Sequence, residues 1–224
     1  PECEGINMDA TVTSILHKSQ EELEMLARKK VKHLYLGIES GLDDVLKFMK
    51  KDHDLAQAYQ AIDRLHEAGL IYDAHIMTGV AGKGRGMENA EALAQFLNRT
   101  NPAHVVNFSM FLHKEVPLYQ DIRQGTFVPA DELETIREEY HLIERIAPEK
   151  AGANILYDGF HDFIHVRVRG HLPGDKEKML AKLNGIIQEY EGKEPVYSFV
   201  QGECPDLEYC DDGKAVWDMD RKTS

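Results

Sequence analysis

Hydrophobic and polar positions alternate with two clear periods along the chain. Ser19, followed three residues later by Glu22 and then by Leu23, Leu26 and Ala27, predicts a helix opened by a capping box. The apolar run 31–38, broken by His33, predicts a buried strand ending in the polar turn Glu39-Ser40-Gly41. A short helix is expected over 42–50. A second follows, with Asp54 as N-cap, Gln57 at its third position and the stripe Leu55, Ala58, Tyr59, Ile62 and Leu65, and Gly69 stops it. The unit then repeats in kind: a strand over 70–78, a turn rich in glycine (Gly79, Gly82, Gly84, Gly86), a helix facing inward through Ala90, Leu93, Phe96 and Leu97, and a third strand over 104–112.

Leu133, Ile136, Tyr140, Ile143 and Ala147 stripe another helix, ended by Pro148; the five Glu of 132–144 read as its solvated face. A short strand is expected at 154–157. Residues 163–169 set Ile164, Val166 and Val168 against His165, Arg167 and Arg169, and Met179, Leu183, Ile186, Ile187 and Tyr190 mark a last helix. Residues 6–15 leave room for a remnant strand. Alternating strands and helices predict an α/β fold of parallel strands joined by helical crossovers, the later part of a barrel whose first part lies upstream of Pro1. Residues 1–191 are expected to form this domain. Residues 192–224, acidic and without periodicity, read as a tail held by Trp217.

With 39 acidic against 26 basic side chains the chain carries a net charge of −13, which disfavours binding nucleic acid through bulk charge. Three cysteines fit a reducing cytosol better than a disulfide scaffold. No apolar run has the length of a membrane span and no secretion leader is evident, so a cytoplasmic protein is expected.

In parallel α/β folds, ligands sit at the carboxyl ends of the strands, which selects Glu39 and Ser40, residues 75–79 and residues 110–113. If Met77 faces inward, so do His75 and Asp73. A carboxylate at the end of a buried strand needs a partner, and Lys51 is the nearest candidate for Glu39. The Gly82–Gly86 loop, with Lys83 and Arg85, follows a strand and precedes a helix, the context for phosphate, but matches neither standard phosphate-binding spacing. His161 and His165 have helical zinc spacing on a segment that reads as a strand, where residues four apart lie about 13 Å from each other. Cys204 and Cys210 fit no zinc spacing.

The segments Tyr35-Leu-Gly-Ile-Glu-Ser-Gly41, Asp44-Val-Leu-Lys-Phe-Met-Lys-Lys51, Ala68-Gly69 and Met77-Thr-Gly79 together resemble the middle of a radical SAM domain of the Elongator, methylthiotransferase and oxygen-independent coproporphyrinogen oxidase group. Pro117-Leu-Tyr119, Gly125-x-Phe127 and the stretch from Gly170 to Lys176 are similar to uncharacterised radical SAM oxidoreductases. The resemblance spans residues 19–185. It implies a partial (β/α)6 barrel that binds S-adenosylmethionine against a [4Fe–4S] cluster and generates a 5′-deoxyadenosyl radical for hydrogen abstraction. By position, Glu39 would hold the ribose hydroxyls with Ser40 beside it, Lys51 would meet the methionyl carboxylate, His75 would stand at a second ribose contact, and Gly79 would let adenine approach the backbone.

The cluster motif C-x3-C-x2-C is missing, and Cys3, Cys204 and Cys210 do not replace it, so its ligands are expected upstream and this chain alone is expected to be inactive. Asp158, His161, Arg167 and Arg169 are the candidate substrate residues. The implied partners are a small-molecule or peptide substrate and an electron donor such as flavodoxin or ferredoxin, with neither nucleic acid nor membrane. Two other readings stay open: a nucleotide- or phosphate-binding α/β enzyme using the Gly82–Gly86 loop, and a non-catalytic interaction module docking through its tail.

Overall fold

The computed structural model describes residues 4–199 together with 208–209 and 215–216. Six strands form one sheet in chain order: β1 (Ile6–Ala10), β2 (Val31–Glu39), β3 (Ile71–Thr78), β4 (His104–Ser109), β5 (Ile155–His161) and β6 (Val166–Leu172). Between and around them run α1 (Val12–Leu16), α2 (Gln20–Arg28), α3 (Asp43–Phe48), α4 (Leu55–Glu67), α5 (Gly86–Thr100), α6 (Pro117–Gln124), α7 (Glu132–Arg145) and α8 (Lys176–Tyr190). A two-stranded ribbon, β7 (Glu208–Tyr209) and β8 (Ala215–Val216), lies within the stretch expected to be a tail.

Strands β1 to β5 are parallel, and their order in the sheet follows the chain. Crossovers of one hand between successive neighbours put the connecting helices on one face of the sheet. The core shows it: Leu34, Leu36, Ile38, Tyr72, Ala74, Ile76, Val105, Ile155 and Tyr157 pack in one cluster with Ile15, Leu23, Ile62, Leu65, Leu93, Phe96, Ile136, Ile143 and Leu183 of the helices. The alternate strand residues face the other way, onto an open face without covering helices. The α/β architecture expected from the sequence is thus present, as an open sheet among the described residues.

Local chemistry sets the boundaries. Thr11 with Ser14, Ser19 with Glu22 and Asp54 with Gln57 each form a reciprocal capping box. Gly69, at φ +75°, ends α4 as anticipated. Gly41 lets α5 come close, since a Cβ there would lie 2.5 Å from the backbone of Ala92 and Leu93. Strand β1, paired on one side only among the described residues, keeps Ile6 and Met8 each 44% exposed.

Three expectations change. The last strand, β6, is antiparallel to β5 and not parallel, because only residues 162–165 join them, a single 3₁₀ turn with His165 at φ +54°. A parallel partner needs a crossover several times that length. The third strand stops at Ser109, and Leu112 makes only an isolated bridge to Phe199 before α6, a helix whose short stripe the sequence did not reveal. The glutamates of α7 are not one solvated face either: Glu132, Glu138 and Glu139 are at most 1% exposed and point into the sheet. Cys3, Cys204, Cys210 and Trp217 lie outside the described residues.

Candidate functional site

The open face carries polar and aromatic side chains in rows across the strands. Tyr35 and Asp73 are register partners on β2 and β3, and the Tyr35 hydroxyl bonds His104 Nδ1 on β4 at 3.0 Å. His33 Nδ1 meets Asp73 Oδ2 at 2.6 Å. Burial raises the Asp73 carboxyl above its ordinary range, against the His33 bond, and lowers the His104 imidazole. Asp73 Oδ1 and His104 Nε2 are buried without a hydrogen-bond partner among the described residues. Asp73, His75 and Met77 do share a face, as strand alternation requires.

At the carboxyl end of β2, Glu39 takes φ +62°, unusual for a residue with a Cβ, where the β2–β3 register slips between Gly37 and Glu39. The Ser40 N–H closes a tight turn on the Ile38 carbonyl at 2.7 Å. Lys51 Nζ donates to Glu39 Oε1 at 3.1 Å, the pairing expected for that carboxylate. Both side chains keep roughly a quarter of their surface exposed, and Glu39 Oε2 makes no hydrogen bond among the described residues. Gly37 is the cradle under this pair: a Cβ there would lie 2.8 Å from Glu39 Oε1 and 3.3 Å from Lys51 Nζ.

Ser40 and Gly79 are placed differently. The Ser40 hydroxyl donates to Asn89 Oδ1 on α5 at 2.6 Å and is fully buried. The Gly79 N–H donates to Glu138 Oε2 at 2.8 Å, and Gly79 sits at φ +82°. Both shape the turns beside the open face without presenting a polar group to it. His75 lies between Tyr35 and Phe108, with ring centroids 5.1 and 6.0 Å away.

The four substrate candidates separate. Asp158, Arg167 and Arg169 come together on the open face. Arg167 donates to Asp158 through Nε at 2.7 Å and Nη2 at 2.6 Å, and Arg169 Nε lies 3.6 Å from the same carboxylate. His161 belongs to the opposite, helix-packed side of β5, fully buried. Its Nδ1 lies 3.0 Å from Glu132 Oε2 and its Nε2 3.0 Å from Glu139 Oε2. Burial opposes protonation there, but the Glu139 charge and the two carboxylate hydrogen bonds outweigh it and take the imidazole up to about 10. Both ring nitrogens of His161 thus face carboxylates in the core, on the side of β5 away from the open face.

The sequence reading missed this buried network. Glu139 Oε1 also accepts from Asn107 Nδ2 at 3.1 Å and from the Tyr157 hydroxyl at 2.9 Å, while Glu132 accepts from the Ser109 hydroxyl at 3.2 Å. Asn89 Nδ2 donates to Glu138 Oε1 at 2.7 Å. One helix face thus holds the ends of β3, β4 and β5 and, through Asn89, the turn after β2. The signal was present: Glu132 and Glu139 are spaced seven apart, as are Ile136 and Ile143, on one helical stripe.

The Gly82–Gly86 loop is occupied by the protein itself. The Gly84 N–H is bonded to the Glu134 carboxylate, the Lys83 N–H to the Val128 carbonyl, and Arg85 to Asp44 and Glu88. An acid stands where the phosphate reading wants an anion. Among the described residues there is no cluster of three or more His, Cys, Asp or Glu arranged for a metal ion, and no helix long and apolar enough to cross a membrane.

Residues 2–97 match the family model described as Radical SAM superfamily. Over 119 residues, 53% of its length, the chain is 25% identical to a tRNA uridine(34) acetyltransferase of Methanocaldococcus infernus and covers 22% of that protein. A solved structure of archaeal Methanocaldococcus infernus Elp3 with an N-terminal deletion superposes with a TM-score of 0.61 at 17% identity, covering 84% of this chain and 42% of the other. The chain thus spans less than half the length of either relative. Residues 2–97 carry the superfamily likeness, and the fold likeness reaches beyond them.

Proposed function

We propose that this chain is the part of a radical SAM enzyme's barrel that holds the nucleoside and amino-acid portions of S-adenosylmethionine. The observation that carries the reading is the Glu39–Lys51 pair folded over Gly37 at the carboxyl end of β2, inside the segment matching the superfamily. The donor set fits the ligand. A carboxylate with one unused oxygen accepts from ribose hydroxyls, and an ammonium with donors to spare answers the methionyl carboxylate.

In such an enzyme a [4Fe–4S] cluster would supply the electron for reductive cleavage of S-adenosylmethionine, and the described residues would hold the ligand for it. Cys3, Cys204 and Cys210 do not have the spacing C-x3-C-x2-C, so these residues are assigned to the nucleoside and amino-acid portions of the ligand and not to the cluster. What the described residues do is bind and orient. Glu39 and Lys51 fix the two ends of the ligand, and Glu138 holds the turn at Gly79 from behind.

Titration calorimetry with S-adenosylhomocysteine tests the binding role without a cluster. Glu39→Gln and Lys51→Met should each weaken binding at least about tenfold, the loss of one charge-assisted contact, with an unchanged thermal midpoint. Equal affinity in wild type and both variants removes the assignment.

A further inference from the structure

The far side of the open face is built differently from the Glu39–Lys51 end. Phe108 of β4 and Phe160 of β5 are register partners, with rings stacked at 16° and centroids 5.7 Å apart. The Arg167 guanidinium lies 4.6 Å from the Phe160 centroid. At the outer edge of the sheet an open groove of about 430 Å³ begins, where Arg167 and Arg169 of the open face meet Val168 and, from α8 on the helix-packed side, Lys178, Met179 and Lys182. In a chain of net charge −13 this is a concentration of four cations, and the carboxylate paired with them among the described residues is Asp158.

Arg167 is paired with Asp158, and the charge left over is that of Arg169. Asp158 is saturated by the Arg167 fork and has only a longer contact with Arg169. Lys182 donates to the Arg167 carbonyl, which holds it at the groove without neutralising it. Arg169 keeps 55% of its side chain exposed. Apolar rings fixed beneath Arg167, with the exposed Arg169 guanidinium beside them, form a two-part surface, suited to an organic anion whose unsaturated or apolar body lies on the phenylalanines.

We propose that the Phe108–Phe160 face and the Arg167–Arg169 groove form the substrate half of the site, and that the substrate is a small organic acid with an aromatic or other apolar body. This rests on the assignment of the Glu39 end to S-adenosylmethionine, and it deepens that assignment by naming the class of compound beside it. The charge order separates the ligands, because a cationic peptide or amine on the rings meets Arg167 and Arg169 as like charges. Carboxylate and phosphate share the required chemistry, since guanidinium groups bind both through paired N–H donors.

The experiment uses the full chain and saturation-transfer NMR with three probes: 3-phenylpropionate, phenyl phosphate and 3-phenylpropylamine. Saturable binding of one or both anions, and none of the amine, is expected, and the tighter anion identifies the head group. Arg169→Gln, at an exposed position, should weaken anion binding by at least about fivefold at unchanged thermal midpoint. Phe160→Leu should weaken all ring-bearing anions alike. Equal binding of amine and acids, or an Arg169→Gln variant that binds the acids as wild type does, overturns the proposal. Glu39→Gln keeps the two readings apart, because it should lose S-adenosylhomocysteine and retain 3-phenylpropionate. Acid binding in a chain that never binds S-adenosylhomocysteine would leave an anion site but remove its role beside that cofactor.

Discussion

Glu138 of α7 accepts the backbone N–H of Gly79 at 2.8 Å through one oxygen and the Asn89 side-chain amide at 2.7 Å through the other. A single buried carboxylate therefore ties the turn after β3 to helix α5. Because Asn89 in turn accepts from Ser40 and Gly41, the tie also reaches the turn after β2. Two of the candidate cofactor positions, Ser40 and Gly79, are thus held from behind by one side chain and its amide relay.

Burial pushes the Glu138 carboxyl up to about 8, against its two hydrogen bonds and the nearby His161 charge. A carboxyl whose pKa is raised on folding contributes stability that is complete below its unfolded value near 4.5 and is lost as pH climbs through about 8. Thermal midpoints followed from about pH 5 to about pH 9 should fall, and Glu138→Gln should flatten that slope. Glu138→Ala leaves two buried donors without acceptors, at about 1–3 kcal/mol each in urea unfolding.

His161 adds to the same trend at higher pH. Its imidazole gains its carboxylate partners on folding, so its contribution is complete below about 6.5 and disappears as pH rises through about 10. Replacing it with Gln strands Glu132 and Glu139 in the core, and the loss should be about 3–5 kcal/mol. Nitrogen-detected NMR of the wild-type ring should show both nitrogens protonated at neutral pH.

Gly159 lies directly beneath the Glu139 carboxylate, where an added Cβ would overlap Oε1. That oxygen is fixed by Asn107 and Tyr157, so it has nowhere to move. Gly159→Ala should therefore destabilise by about 2–4 kcal/mol, overpacking joined to a damaged polar network, as measured by chemical denaturation. Gly174→Ala, whose Cβ would meet only the His171 carbonyl at 3.6 Å, serves as the tolerant control.

Glu39→Gly separates stability from binding. The left-handed backbone at Glu39 costs about 1 kcal/mol or more, and glycine relieves it while losing an ion pair whose side chains are about a quarter exposed. The variant should unfold at equal or slightly higher denaturant concentration and bind S-adenosylhomocysteine far more weakly. A drop in both would mean that Glu39 serves folding before it serves a ligand.

Much of this molecule could be read in advance where a local pattern has a single structural solution. The capping boxes at Ser19 and Asp54, the stripe of α4 and the strand at 31–38 all appear as expected, and Glu39 found Lys51 because a carboxylate at that place requires a cation. The glutamates of α7 were misread because polarity alone cannot tell a solvated carboxylate from one whose partners, Asn107, Tyr157 and His161, come from strands far away in the chain. His161 was misassigned for the related reason that strand alternation gives two faces and does not say which is covered. Had β5 been extended to residue 161 in the sequence reading, Asp158 and His161 would have fallen on opposite sides at once.

Strand β1 carries a further consequence. It is short, its outer peptide groups find no ladder among the described residues, and Ile6 and Met8 lie open beside them. A strand of this kind is adhesive, a template that any other extended segment can extend. In solution the chain should self-associate as its concentration rises, through edge pairing that has nothing to do with its chemistry. A lysine at Met8 should keep it monomeric through sedimentation at high concentration while leaving the Glu39 end of the sheet untouched.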